Sequence, residues 1–149
     1  LQDGRIDIVT SDHSPYALRQ KETENIFDAL AGMPGVETLG PLLFSEGVAT
    51  GRITLERFLE LVARGPADVF GLTRKGRLEA GADADFVVFD PDAEGILDQA
   101  ALHYAAGWSP FHGRPVRGRV VSTWLGGRCV HDGGAVVGTP GTGRFVSPG

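Results

Sequence analysis

Ile6–Ser11 reads Ile-Asp-Ile-Val-Thr-Ser, β-branched and mostly apolar, the pattern of a strand buried on both faces. It stops at Asp12-His13-Ser14-Pro15, where Pro15 pushes Ser14 out of the helical region and predicts a loop. Arg19–Asn25 is polar and reads as exposed, and Gly32-Met33-Pro34-Gly35 predicts a second tight loop. Val36–Gly47 carries Val36, Leu39, Leu42 and Leu43 on one side of a helix, with Pro41 in its first turn or at a kink. Ile53–Arg64 is the clearest helix. Thr54 is a good N-cap, and Leu55, Phe58, Leu59 and Val62 follow the spacing of one helical face. Gly65-Pro66 is expected to end it, with Pro66 opening a short helical segment through Phe70 that Gly71 closes.

After Gly76 the pattern changes. Asp85–Asp90 is a short apolar strand, Val116–Leu125 a second, and Gly126-Gly127 a hairpin turn from which Arg128–His131 returns. Ala135–Val137 is a further short strand, and the tail after Gly138 reads as irregular. Phe86, Val87, Val88 and Phe89 are too apolar for an exposed edge, so their strand needs a partner. A strand followed by helices thus gives way to a β-rich half. The boundary near Lys75–Gly81 divides the chain into residues 1–75 and 76–149.

The length, 149 residues, allows one domain or part of a larger one. The hydrophobic fraction of 42% and charged fraction of 22% are globular values. A net charge of -5 argues against a nucleic-acid or anionic-membrane partner, since both want a basic face. The single cysteine, Cys129, excludes an internal disulfide and any multi-cysteine zinc site, and reads as buried and inert. No apolar run approaches the roughly 18 residues of a membrane span. No basic-then-apolar leader is seen, so the expected compartment is cytoplasmic. Leu1 in place of Met, with a strand-like run almost at once, predicts a C-terminal piece of a longer protein.

The strongest local site signal is Asp12-His13-Ser14-Pro15 directly after a buried strand. In parallel α/β folds, ligands sit outside the carboxyl ends of strands. A carboxylate there can bind a metal and act as general base, or can simply cap the next turn. The four histidines, His13, His103, His112 and His131, form no His-x-His or His-x-x-x-His pair. A complete metal site from this chain alone is therefore not expected, because catalytic zinc takes three protein ligands. Asp83 and Asp85 read as turn residues ahead of a strand. Ser109-Pro110-Phe111 reads as a turn, and Gly141-Thr142-Gly143 is too short for a dinucleotide fingerprint.

Ile8 through Pro15, with Lys21 six positions on, resembles the end of the eighth barrel strand in the cyclic amidohydrolases: hydantoinase/dihydropyrimidinase, allantoinase and dihydroorotase. The resemblance continues through Gly32–Thr38, Pro41–Val48, Gly51–Leu55, Pro66-Ala67 and Phe70–Leu72. It runs on through Lys75-Gly76, Gly81–Asp85, Trp108–Gly113 and Gly141–Phe145, so nearly the whole chain is covered in the family's order. It implies an α/β fold, the C-terminal part of a (β/α)₈ TIM barrel plus strands of a small β-sandwich domain. On that reading, residues 1–75 end the barrel and residues 76–149 are the C-terminal segment of the sandwich and the tail.

The resemblance also implies a binuclear centre, usually zinc, bridged by a carboxylated lysine and a hydroxide. Asp12 resembles the metal-binding aspartate that takes a proton from the attacking hydroxide and passes it to the leaving nitrogen. His13 is expected near the substrate, and the backbone at Ala31 and Gly32 is expected to line the ring pocket. The family's other ligands, a His-x-His pair, the lysine and two histidines, are absent here and are expected upstream, so the fragment alone should be inactive. The implied partners are a small cyclic amide, the missing N-terminal part of the same protein, and further copies in a homo-oligomer. Ser11–Pro15 and Trp108–Phe111 resemble allantoinase, while Pro34–Glu37 and Leu42–Val48 lean toward hydantoinase. Tyr16, where dihydroorotases often carry histidine, weakens that alternative. A non-catalytic scaffold relative is the competing class.

Overall fold

The computed structural model of the chain describes every residue from Leu1 to Gly149. Residues 1–38 contain two single 3₁₀ turns, Leu18–Gln20 and Ile26–Asp28, and no ladder strand. Here the first expectation is corrected. Ile6–Ser11 is extended, but it is unpaired and not buried on both faces. Ile6 is 47% exposed, and the segment's one backbone bond runs from Val9 N–H to the Leu61 carbonyl at 3.0 Å. β-branching favours the extended backbone, whereas a ladder needs neighbouring strands, and none lies beside it.

Helix α1, Leu39–Leu43, starts later than Val36 because a turn precedes it. In that turn Thr38 and Leu39 both donate to the Gly35 carbonyl, at 3.2 and 3.0 Å. Pro41 falls in the first helical turn, where its missing N–H costs no bond. The run continues as a wider π turn, Phe44–Val48, in which Ala49 N–H reaches the Phe44 carbonyl at 2.9 Å. Helix α2, Leu55–Leu59, begins as expected, with the Thr54 hydroxyl accepting from Arg57 N–H at 3.1 Å.

Gly65-Pro66 does not end that helix. The chain passes through a π turn, Glu60–Arg64, directly into α3, Gly65–Val69. Gly65 N–H bonds back to the Glu60 carbonyl, and Pro66 has no N–H to give. The Leu61 carbonyl is therefore left free within the helix, and Val9 N–H takes it. A Cβ on Gly65 would lie 2.8 Å from the Asp7 carbonyl oxygen, so only glycine lets the extended segment pass this close. Arg57 adds a tether, its guanidinium donating to the Leu1 carbonyl at 2.9 Å and to the Ile6 carbonyl. The helices thus form the bed on which the segment leading to Asp12 lies.

Strands β1 (Phe86–Ile96), β2 (Pro115–Leu125), β3 (Arg128–Asp132) and β4 (Ala135–Val136) make an antiparallel meander in sequence order. β1 is longer than Asp85–Asp90 because it resumes pairing beyond Pro91, after register shifts following Val88 and Asp90. Phe86 stacks on Trp124 of β2 at 5.5 Å. The core sits where helices meet this sheet. Phe44, 6% exposed, lies 4.7 Å from Phe89 of β1 and 6.1 Å from Phe58 of α2, ring centre to ring centre. Arg117 N–H donates to the Ser45 hydroxyl at 3.0 Å, and Arg114 pairs with Glu46 at 2.9 Å.

Asp83 and Asp85 lie between the Glu79–Ala82 turn and β1, where they take structural ion pairs. Lys75 pairs with Asp83 at 3.1 Å and with Asp85, whose other oxygen accepts from Gly126 N–H at 2.7 Å. The hydrogen bond that Lys75 donates to Asp85 raises the Lys75 pKa, and the one it donates to Asp83 holds that carboxyl below its ordinary value. Cys129 is half-buried in β3, its thiol facing the His131 carbonyl at 3.2 Å.

The accessible surface is 10007 Å², against about 7,300 Å² for a compact monomer of this mass. Much of the excess is apolar: Phe27 and Phe145 are each 91% exposed and Ile96 is 70% exposed. The chain buries only part of its apolar surface against itself. No helix is long and apolar enough to cross a membrane.

Candidate functional site

Asp12 is the one non-glycine residue with positive φ, at 43°. Left-handed backbone costs an L-residue roughly 1–2 kcal/mol, least for Asp and Asn. Pro15 fixes its own φ and keeps Ser14 extended, so the left-handed residue falls between two extended stretches. Asp12 is exposed, and its carboxylate makes no hydrogen bond or ion pair within the chain. The turn conformation therefore presents a free carboxylate at the end of the anchored segment.

The following residues are stitched to the second loop. Ser14 N–H donates to the Met33 carbonyl at 3.0 Å, and His13 and Met33 form a single parallel bridge. His13 Nδ1 accepts from Gly35 N–H at 3.0 Å and Val36 N–H at 3.2 Å. That arrangement puts the neutral ring's proton on Nε2, the nitrogen left for a ligand. Gly32 has φ +106°, and a Cβ there would collide with the Ser14 side chain, 2.8 Å from its Oγ. Lys21 donates to the Gly32 carbonyl at 2.6 Å and to the Leu30 carbonyl. Ala31, between those two carbonyls, is exposed, and its own N–H and C=O have no partner in the chain.

The structure thus brings together the four residues singled out from sequence, Asp12, His13, Ala31 and Gly32, on two adjoining loops. Other contributors were missed. The connection between β1 and β2 reaches back to these loops: Trp108 Nε1 donates to the Tyr16 carbonyl at 2.8 Å, and Tyr104 packs 5.4 Å from the His13 ring. His103 Nδ1 lies 2.8 Å from Glu37 Oε1, and Glu37 Oε2 accepts His103 N–H at 2.8 Å. The Glu37 hydrogen bond raises the His103 pKa. No local pattern signals these contacts, because the partners are 92 and 66 residues apart. Ser109 belongs to a turn, its hydroxyl accepting from Phe111 N–H at 3.2 Å.

Two cavities stop short of Asp12. One of about 820 Å³ runs beside Glu37, Leu97, His103 and Val120, and one of about 450 Å³ beside Leu1, Leu43 and Ile53. Neither includes Asp12, which faces an open surface. Asp12 is a free oxygen donor suited to one place in a metal's ligand shell. No three His, Cys, Asp or Glu side chains gather anywhere to hold a metal, so this chain fits one ligand and not a complete centre.

The profile of the Amidohydrolase family matches residues 47–131, more than half of the chain. The chain is 44% identical to an allantoinase of Rubrobacter xylanophilus, the match covering 97% of this chain and 32% of that protein. It is 40% identical to a D-phenylhydantoinase of Escherichia coli, covering 98% and 32%. The D-hydantoinase structure from Bacillus sp. AR9 superposes with a TM-score of 0.95 at 35% identity, over 99% of this chain and 33% of that one. The L-hydantoinase of Arthrobacter aurescens superposes at 0.90 and 36% identity, over 98% and 33%. The chain therefore spans about a third of the length of these relatives. Since the profile covers more than half of the chain and the backbone superposes on these relatives over nearly all of it, the chain belongs to the amidohydrolase family.

Proposed function

We propose that the whole protein opens the ring of a small cyclic amide, such as a hydantoin, allantoin or dihydropyrimidine, by metal-dependent hydrolysis. In this reading residues 1–75 close a (β/α)₈ barrel and residues 76–149 contribute to a small β-sandwich. The full protein is a homo-oligomer. The observation that carries the reading is Asp12: a free carboxylate on left-handed backbone, at the end of an extended segment, beside a loop with unused backbone groups. The names of the relatives, allantoinase and hydantoinase, support the reaction class.

Asp12 would be this chain's one ligand to a zinc centre, which would supply Lewis acidity to water and to the scissile carbonyl. Asp12 accepts the proton of the attacking water and returns it to the amide nitrogen as the C–N bond breaks. The backbone of Ala31 and Gly32 holds the ring, and His13 offers Nε2–H toward it. A scaffold relative would have no use for a free carboxylate in this conformation, which favours the enzyme.

The test is Asp12→Asn in the full-length protein, assayed on hydantoin, allantoin, dihydrouracil and dihydroorotate with added zinc. Turnover should fall by about 10²–10⁴, the usual cost of losing a general base, with the fold retained. Turnover within threefold of wild type would refute the assignment, and turnover of none of these rings by wild type would refute the reaction class.

A further inference from the structure

The segment Ala29–Gly32 has no helix, no strand and no backbone hydrogen bond forward of Ala29, whose N–H closes the Ile26–Asp28 turn. Met33, Gly35 and Val36 are held by Ser14 and His13, but that stitching begins only after Gly32. Between the two anchored stretches a single tether exists. Lys21 Nζ donates to the carbonyls of Leu30 and Gly32, the residues on either side of Ala31.

The choice of partners is informative. The half-buried Lys21 forms no ion pair, and its ammonium is spent wholly on two main-chain carbonyls. Charge-assisted bonds of this kind are the stronger sort and fix geometry where regular structure does not. With its neighbours' carbonyls drawn to one nitrogen and Gly32 pressed against Ser14, the Ala31 peptide has little freedom left. Its N–H and C=O remain unpaired, one donor and one acceptor in adjacent positions. A cyclic amide presents the complementary pair, a ring N–H beside a ring C=O.

We propose that Lys21 is a positioning residue that presets the Ala31 peptide for the ring amide, and so governs substrate affinity more than the chemical step. The proposal rests on the reading that Ala31 and Gly32 line the ring pocket. A preset loop meets the substrate without paying the ordering cost at binding. An interaction made equally in ground and transition states appears in KM. Lys21→Met keeps the stem and removes the donors. Lys21→Arg restores a cation with several donors able to reach two carbonyls.

The experiment uses the full-length enzyme carrying Lys21→Met, Lys21→Arg or Asp12→Asn, with hydantoin and allantoin as probes and product followed by chromatography. Lys21→Met should raise KM about tenfold or more and change kcat less than about threefold, with Lys21→Arg recovering most of the loss. In the substrate-free protein, the backbone order parameters of Leu30–Gly32 should fall from rigid values to below about 0.6 in Lys21→Met, a readout independent of turnover. An unchanged KM, or unchanged order parameters at Leu30–Gly32, overturns the role of Lys21. So does a loss falling wholly on kcat. If Asp12→Asn abolishes turnover while Lys21→Met leaves KM unchanged, the Lys21 proposal alone fails. If Asp12→Asn has no effect, the functional reading fails.

Discussion

Replacing Gly32 by alanine tests whether the two loops are held at contact distance. The structure supplies two separable costs. At φ +106° an L-residue occupies backbone that costs about 1–3 kcal/mol. The added Cβ also meets Ser14, 2.8 Å from Oγ and closer still to its Cβ. Rotating the hydroxyl cannot relieve a clash with a Cβ, so the loops must part by about 1 Å to reach ordinary contact. That opening weakens the Ser14 N–H bond to the Met33 carbonyl, a neutral bond with a net value of about 1 kcal/mol. The expected total is about 2–4 kcal/mol of stability. The larger effect is on function, because a displacement of about 1 Å at a binding loop can lower kcat/KM by up to about 10²-fold. Gly81→Ala is the control: its φ is +94°, yet a Cβ there meets nothing within 4 Å. Thermal unfolding and steady-state kinetics of both variants in the full-length protein separate backbone cost from collision. Gly32→Ala should be the less stable of the two and alone should lose kcat/KM. Equal stability together with unchanged kinetics would show that the loops are not in contact as described.

Two further outcomes follow from the charges and the surface. The Glu37 hydrogen bond raises the folded-state pKa of His103 above 6.5, so the protonated ring's contribution to stability is complete below about pH 6.5. It is lost as pH rises through the folded value, and the stability gap between wild type and Glu37→Gln should narrow from pH 6 to pH 8.5. His131 is the other titratable group facing His103, 6.0 Å away, so the same series on a His131→Gln background separates the two rings. Leu1–Gly149 expressed alone should aggregate or unfold without a sharp transition, because about 2,700 Å² more surface is exposed than on a compact monomer. A monodisperse fragment with one cooperative transition on heating would show that its core is sufficient.

The helix start at Thr54, the Gly126-Gly127 hairpin, the β-rich second half and the loop at Asp12 were all legible in the chain. Each is set by interactions within about four residues: a capping hydroxyl, a glycine pair, a short apolar run, or a proline acting on its neighbour. Tertiary structure decided the rest. Ile6–Ser11 has the composition of a central strand, but this chain holds no neighbouring strand for it, and its one backbone contact is its Val9 amide on the carbonyl that Pro66 leaves free. Gly65-Pro66 reads as a stop signal, yet a π turn carries the helix across it, since the extended segment needs a close approach there. Asp12, His13, Ala31 and Gly32 were identifiable by kind, but their juxtaposition was not. It depends on Lys21 reaching across 11 residues and Trp108 across 92. Local sequence encodes conformation through short-range sterics and hydrogen bonding. Which distant carbonyl an ammonium or an indole N–H finds is decided only when the whole chain has packed.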